Sequence, residues 1–320
     1  MNRAGFLALG VAALVGLIEP AGAQSWPSRP IRWIIPIPPG GGPDVIARRI
    51  APALAERLGQ PVIVENHPGS AHNIAMQLVA HSAPDGHVLL HALTGLVTNA
   101  HLYKLDFDPI GDLATVARIV RTEWVLVARN DLPGRAIEDV VALARASPGR
   151  VTCAISGGVT EVACRMLAAL SGTQILQVPY KGGPQVLNDL IGGYVDLRFA
   201  ETSIAAPLVK AGRIRALATL NPRRGSGAFG QLPTFAETWP EFEFVTWQGV
   251  MVRAGTSPEI IGRLSAALEA VLSSEEIAQT VRASGNLPAY ANAGEFGALI
   301  RRDAERYGKL IRDLGIRAEP

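Results

Sequence analysis

Ile31-Arg32-Trp33-Ile34-Ile35-Pro36-Ile37-Pro38-Pro39-Gly40-Gly41-Gly42-Pro43-Asp44 is the stretch that decides the fold. A β-branched, apolar run ends at a proline, three glycines follow, and Pro43 opens the next segment. Val45, Ile46, Ile50, Leu54 and Leu58 then recur near helical spacing up to Gly59. That pattern predicts a helix over 45–58 stopped by the glycine. Strand, glycine turn and helix in this order make one βα unit of an α/β sheet. The turn also predicts a binding loop. Glycine lets backbone come close to a ligand. Proline suits the first helical turn, where its missing N–H costs nothing. N–H groups at a helix start favour an anion. Pro39, Gly40, Gly41 and Gly42 are therefore candidate ligand contacts, with main-chain N–H groups holding a carboxylate. Asp44 either favours the helix start or reaches the ligand.

The same rhythm continues outward. Strands are expected at 62–64 and 87–91, with a helix over 74–81 between them and a turn at Pro84-Asp85-Gly86. A second series begins near Trp124-Val125-Leu126-Val127. It comprises helix 137–146, strand 151–154, helix 161–170, strand 174–179, helix 184–191, strand 195–199, a short helix at 207–210 and strand 215–219. Segment 221–231 is rich in Gly, Arg, Pro and Ser and reads as a surface loop. Two long helical stretches, 258–272 and 295–314, close the chain. Such alternation predicts mostly parallel sheets flanked by helices. The expected architecture is two α/β lobes joined by two crossings, with lobe one at 24–125 plus 250–320 and lobe two at 126–249.

The alternation alone admits several functions, which the motifs narrow. The first turn lacks the Gly-x-Gly-x-x-Gly spacing of dinucleotide sites, and no Walker lysine follows the glycines. No Gly-x-Ser-x-Gly nucleophile elbow occurs. The six histidines, at 67, 72, 81, 87, 91 and 101, show no metal-binding spacing. No cofactor and no metal are expected. A formal net charge of +2 gives no electrostatic case for nucleic acid or an anionic membrane surface. An exported enzyme would need a positioned nucleophile and base or a metal set, and neither is evident.

Residues 1–23 read as an export leader. Arg3 precedes an apolar run over 4–18, and Ala21 and Ala23 fit a cleavage site before Gln24. The run is shorter than the roughly 20 apolar residues of a spanning helix. The mature chain is expected in the periplasm, as a monomer. Export permits a disulfide between Cys153 and Cys164, although buried free thiols are the simpler reading of two cysteines in apolar surroundings.

Three further loops follow predicted strands, where the crevice of an open sheet lies. In Asn66-His67-Pro68-Gly69-Ser70-Ala71-His72-Asn73, Ser70 and His72 can reach a ligand and Asn73 can cap the helix. Ser156-Gly157-Gly158-Val159-Thr160 offers small residues, N–H groups and hydroxyls, with Ser156, Gly157 and Thr160 as candidates. In Val178-Pro179-Tyr180-Lys181-Gly182, Tyr180 and Lys181 either bind ligand or are a packed ring and a solvated charge. Glu201 completes the candidates. Arg198 is expected to pair with Glu161 or Glu201 rather than touch ligand.

Trp26-Pro27-Ser28-Arg29-Pro30-Ile31, the 38–44 loop, Asn66-His67-Pro68-Gly69, Ala83-Pro84-Asp85-Gly86, Val178-Pro179-Tyr180-Lys181-Gly182, Gly192-Gly193-Tyr194-Val195-Asp196 and Ala254-Gly255-Thr256 occur in that order. Together they resemble the substrate-binding proteins of tripartite tricarboxylate transporters, the Bug receptors, over the whole mature chain. The resemblance implies a two-lobed periplasmic receptor of Venus-flytrap form. Such a receptor holds a small carboxylate by loop backbone and water and delivers it to integral-membrane permease subunits. A sensing role, docking on a membrane signalling protein, is the alternative. The chain departs from the family pattern in places. Pro43 replaces a hydroxyl residue, and Ala71 and His72 replace glycines. The 156–160 loop is about two residues shorter, with Glu161 where a histidine is frequent. Ala200 replaces an aspartate, which argues for anionic over amino-acid ligands.

Overall fold

The computed structural model describes residues 26–316 apart from 157–158, 181–182, 222, 225–227, 243, 245, 285 and 314. The expected leader, Gly157 and Lys181 lie outside the described residues.

The chain begins with β1 (Ile31–Ile35), α1 (Gly42–Leu58), β2 (Val62–Asn66), α2 (Asn73–Ala80), β3 (Val88–Leu93), α3 (Gly95–Leu102) and β4 (Leu113–Thr122). It then crosses into a second layer system: β5 (Trp124–Arg129), α4 (Ile137–Ala146), β6 (Thr152–Ile155), α5 (Val159–Ser171), β7 (Leu176–Pro179) and α6 (Gly183–Ile191). β8 (Leu197–Glu201), α7 (Thr202–Lys210), β9 (Ile214–Thr219) and α8 (Phe235–Thr238) complete it. The return brings β10 (Thr246–Arg253), α9 (Pro258–Leu272), α10 (Glu275–Ala283), β11 (Asn286–Ala291) and α11 (Ala293–Asp313).

Among the described residues the strands form two sheets, β11-β4-β10-β3-β1-β2 and β7-β6-β8-β5-β9. The two-lobed α/β architecture expected from the alternation is present, but the sheets are mixed. β1 runs parallel to β2 and β3, whereas β10 runs antiparallel to β3 and β4. In the second sheet β6 is parallel to β7 and β8, and β5 is antiparallel to β8 and β9. The antiparallel strands include those that carry the chain between the sheets. A strand that leaves for the other lobe or returns from it has no crossover helix fixing its direction, so apolar patterning alone does not reveal which way it runs.

Local sequence explains the elements nearest the cleft. α1 starts at the Gly42-Pro43-Asp44 turn and ends at Gly59, whose φ of 73° supplies the left-handed cap. Ser257 accepts a bond from the Ile260 N–H at 3.3 Å to start α9. Asn292 and Glu295 exchange side-chain and backbone bonds of 3.0 Å to start α11. Pro207 lies inside α7 and not at its start. The helix begins five residues before it, at Thr202, where both the N–H and the hydroxyl donate to the Glu123 carbonyl.

Apolar residues cover both faces of each sheet. Ile31, Trp33, Ile46, Ile50 and Leu54 pack with α9 and α10 side chains on one face of the first sheet. Phe199, Phe235 and Phe242 form a stacked aromatic group in the second lobe, with the last two rings 4.3 Å apart. Such pairs add about 0.5–1.5 kcal/mol beyond their buried area. Asp196 joins three strands of that lobe. Its oxygens accept from Arg129 Nε at 2.6 Å and from the Thr152 N–H and hydroxyl at 2.8 and 2.9 Å. Cys153 and Cys164 are joined as a disulfide between β6 and α5. They are not free thiols, because the first turns of α5 lie back along the strand and bring the Cα atoms to 6.2 Å. No described helix is long and apolar enough to cross a membrane.

Candidate functional site

The two sheets are linked by two crossings, residue 123 and the segment before β10, and the space between them is the expected ligand cleft. The crossings are bonded to each other. Trp124 Nε1 donates to Thr246 Oγ1 at 2.7 Å, and that hydroxyl donates to the Thr122 carbonyl at 2.8 Å. Gln248 Nε2 donates to Thr122 Oγ1 at 3.1 Å, and its Oε1 lies 2.8 Å from His91 Nε2. His91 stacks on Trp33 in the core. Burial pulls its imidazole down to about 4, so it is neutral near pH 7.

The first glycine loop forms one wall. Pro39 and Gly40 are exposed, and Gly40 has a φ of 84° that only glycine adopts readily. Asp44 is turned inward and buried. One oxygen accepts from the Gly40 N–H at 2.9 Å; the other accepts from Arg48 Nε at 3.0 Å and Asn66 Nδ2 at 2.9 Å. Burial pushes this carboxyl up. The bonds from Arg48, Gly40 and Asn66 outweigh that and hold it below the ordinary range. Asp44 thus staples the loop to the start of α1. The Gly41 N–H leans on the Pro38 carbonyl at 3.4 Å. Of the three glycine N–H groups expected to hold an anion, two are therefore engaged. That of Gly42 has no partner among the described residues.

The second loop carries unusual backbone. Ser70, Ala71 and His72 have φ of 45°, 51° and 80° in succession. The residues standing where the family pattern has glycine retain the left-handed conformation, at a steric cost. The Ala71 carbonyl accepts from Asn99 Nδ2 at 2.6 Å, and Asn73 Oδ1 accepts from the same nitrogen at 2.9 Å. Asn73 therefore braces the loop against α3 and does not cap α2. Ser70 is exposed. Burial pulls the His72 imidazole down to about 4.

From the second lobe, Thr160 Oγ1 accepts from the Ser156 N–H at 2.9 Å, closing the loop at the start of α5. Glu161 pairs with Arg165 on the same helix at 3.2 Å, and its other oxygen accepts from Tyr103 Oη of the opposite lobe at 3.4 Å. Burial beside that carboxylate raises the Tyr103 phenol to about 12. Tyr103 at the end of α3 was not singled out in the sequence; nothing in a helix-terminal tyrosine distinguishes a cleft contact from a packed ring. Tyr180 donates to Asp189 Oδ2 at 2.9 Å and packs with the core behind β8.

Glu201, at the cleft end of β8, reaches across to α1. A methyl group on Gly42 would meet Glu201 Oε2 at 2.8 Å. That oxygen is closed to solvent and has no hydrogen-bond partner among the described residues. Burial drives the Glu201 carboxyl up to about 7 against the pull of Arg198. Burial likewise lowers Arg198, to about 10. Arg198 therefore acts on Glu201, while Glu161 has its own partner. Ala200, whose place in the family pattern is taken by an aspartate, is buried with α6 and α7 side chains. Glu201 restores a carboxyl to the cleft one residue later.

Among the described residues no group of three His, Cys, Asp or Glu side chains is placed to hold a metal ion. The chain matches the model of the tripartite tricarboxylate transporter family receptor over residues 46–316. It is 31% identical to protein BugT of Bordetella pertussis over 309 residues, 95% of this chain and 94% of that protein. Among solved structures, Rpa4515 of R. palustris with adipate is 29% identical, with a TM-score of 0.84, covering 92% of this chain and all of that one. MatC of Rhodopseudomonas palustris with bound malate is 26% identical, with a TM-score of 0.81, covering 89% and all respectively.

Proposed function

The chain belongs to the tripartite tricarboxylate transporter family of receptors, and on that premise we propose that it captures a small carboxylate between its lobes in the periplasm and hands it to membrane permease subunits. It acts as a monomeric binding protein after loss of the 1–23 leader and carries out no chemistry on its ligand. One observation carries the ligand class: the start of α1 lies against the second lobe, with Gly42 beside the Glu201 side chain, and the Gly42 N–H has no partner among the described residues. An open N–H at a helix start favours negative charge on the ligand. The relatives solved with adipate and malate support the same class.

The remaining candidates have graded parts in this reading. Pro39, Gly40, Gly41 and Asp44 shape the first wall. Ser70, His72 and Asn73 shape the second. Ser156, Gly157, Thr160, Tyr180 and Lys181 belong to the facing lobe. Mass spectrometry of ligand released from freshly purified receptor tests the proposal, followed by calorimetry with adipate and malate. Recovery of a mono- or dicarboxylate is expected. A sugar or a neutral amide as the bound species would refute it.

A further inference from the structure

The Glu201 carboxyl, which reaches from the second lobe to α1, stands where an anion would be seated. Glu201 Oε2 lies against Gly42, the first residue of α1, and so beside the N–H that the glycine loop leaves open. The oxygen is enclosed, without a hydrogen-bond donor of its own. A ligand carboxylate on the Gly42 N–H would lie next to this group, and two enclosed carboxylates cannot share such a site while both are charged. One shared proton resolves the conflict: a neutral Glu201 carboxyl donates its O–H to the ligand carboxylate.

Resting on the proposed carboxylate capture, we propose that Glu201 is a specificity-determining residue that takes up one proton from solvent as the ligand binds, so that the receptor captures an anion together with a proton. The step balances: one proton leaves solvent and forms the O–H bond on Glu201 Oε2, so the receptor gains the ligand's charge reduced by one. The surroundings fit. Arg198 on the same strand is the charge that acts on Glu201. On α1 the charged side chain of the first turn is Asp44, bonded to Gly40, Arg48 and Asn66. Glu123 at the crossing, beside Trp124 that pairs with Glu201, accepts from Asn221 Nδ2 at 3.2 Å. Neither Arg198, lowered only to about 10, nor Asp44 exchanges its proton between pH 6 and 8.5. The Glu201 carboxyl, raised to about 7, does. His72 and His91, both pulled to about 4, stay neutral throughout.

The test is calorimetric affinity for adipate and for malate at pH 6 to 8.5, for the native protein and for Glu201→Gln, with thermal melts to verify folding. Both ligands are predominantly ionised over this range, and nearly completely so above pH 7, where the slope is read. Native affinity is expected to fall by up to about tenfold per pH unit above pH 7. Glu201→Gln, which keeps a hydrogen-bond donor, is expected to bind about as tightly at pH 8.5 as the native protein does at pH 6. A flat native profile, or a slope that survives in Glu201→Gln, overturns the proposal. So does affinity that rises with pH and is lost in the variant, since the ionised form of Glu201 would then be the one that supports binding. If neither ligand binds at any pH, the failure lies with the ligand chosen or with the carboxylate reading and not with Glu201, and the ¹³C carboxyl shift of Glu201 in the ligand-free receptor decides. A midpoint near 7 upholds a proton-accepting Glu201, and a midpoint below about 5, the ordinary glutamate range, overturns it.

Discussion

Asp44 shows how a single carboxylate can make a glycine-rich loop definite. Its side chain is nearly closed to solvent and binds one backbone and two side-chain donors. Charge-assisted bonds of this kind contribute roughly 1.5–3 kcal/mol. Asp44→Ala should therefore lower unfolding stability in urea by about 2–3 kcal/mol; a loss below about 0.5 kcal/mol, the usual size of surface effects, would mean that the loop holds its shape without the staple. The pH dependence has a definite sign. The Asp44 carboxyl titrates lower in the folded than in the unfolded chain. Its contribution is complete above the ordinary carboxylate range and disappears as pH falls through the folded value. In Asp44→Asn the acid limb of the stability curve below about pH 4 should be shallower than in the native protein. Ala71 argues the opposite way. It holds a left-handed conformation, with φ 51° and ψ 39°, inside a run of three such residues. Glycine relieves that strain at some cost in unfolded-state entropy. Ala71→Gly should raise stability by about 0.5–1 kcal/mol by the same urea measurement, and a fall in stability would count against strain at this position.

Elements whose apolar periodicity was complete could be read from the sequence almost to the residue. β1, α1 and α4 begin or end within a few residues of the pattern, because a proline or glycine punctuates them. α3 and β4 carried no such signal. α3 is an eight-residue helix with His101 and Thr98 among its apolar residues, and β4 interrupts its pattern with Arg118 and Arg121. Both owe their structure to tertiary packing: α3 lies on α11, and β4 is held between β10 and β11. Within the site, the glycine loop was legible because its backbone demands are written in residue type. Tyr103 and the reach of Glu201 to Gly42 were not, since both contacts depend on how two lobes approach. The disulfide belongs to this scale too. It pins the first turns of α5 to β6 across a sequence separation of 11, closing a loop that contains the 156–160 segment. Loop-closure entropy makes such a link worth roughly 3 kcal/mol. The double variant Cys153→Ala/Cys164→Ala should thus lower Tm by about 5 °C. A change of less than about 2 °C would assign the stability of α5 to packing alone.

Across the whole molecule, the lobes are coupled where the two crossings touch. Thr246 is the joint: its hydroxyl accepts from the Trp124 indole and donates to the Thr122 carbonyl, so one side chain ties the outgoing crossing to the returning one. The residue is buried, and water cannot easily replace either partner. Thr246→Val keeps the shape and removes the hydroxyl. The indole N–H and the carbonyl are then left to find other partners, which costs about 1–3 kcal/mol. The effect should not be confined to stability. With the joint released, the contacts that set the closed arrangement are fewer, chiefly Tyr103 with Glu161 and Glu201 against Gly42. Spin labels placed one on each lobe should therefore show a broader distance distribution in ligand-free Thr246→Val than in the native receptor. Saturating ligand should narrow both distributions to the same value, because ligand supplies the missing cross-cleft contacts and shifts the population toward the closed form. Identical ligand-free distributions in the two proteins would place the hinge elsewhere on the crossings, with Glu123 and its bonds to Thr202 and Asn221 next in line.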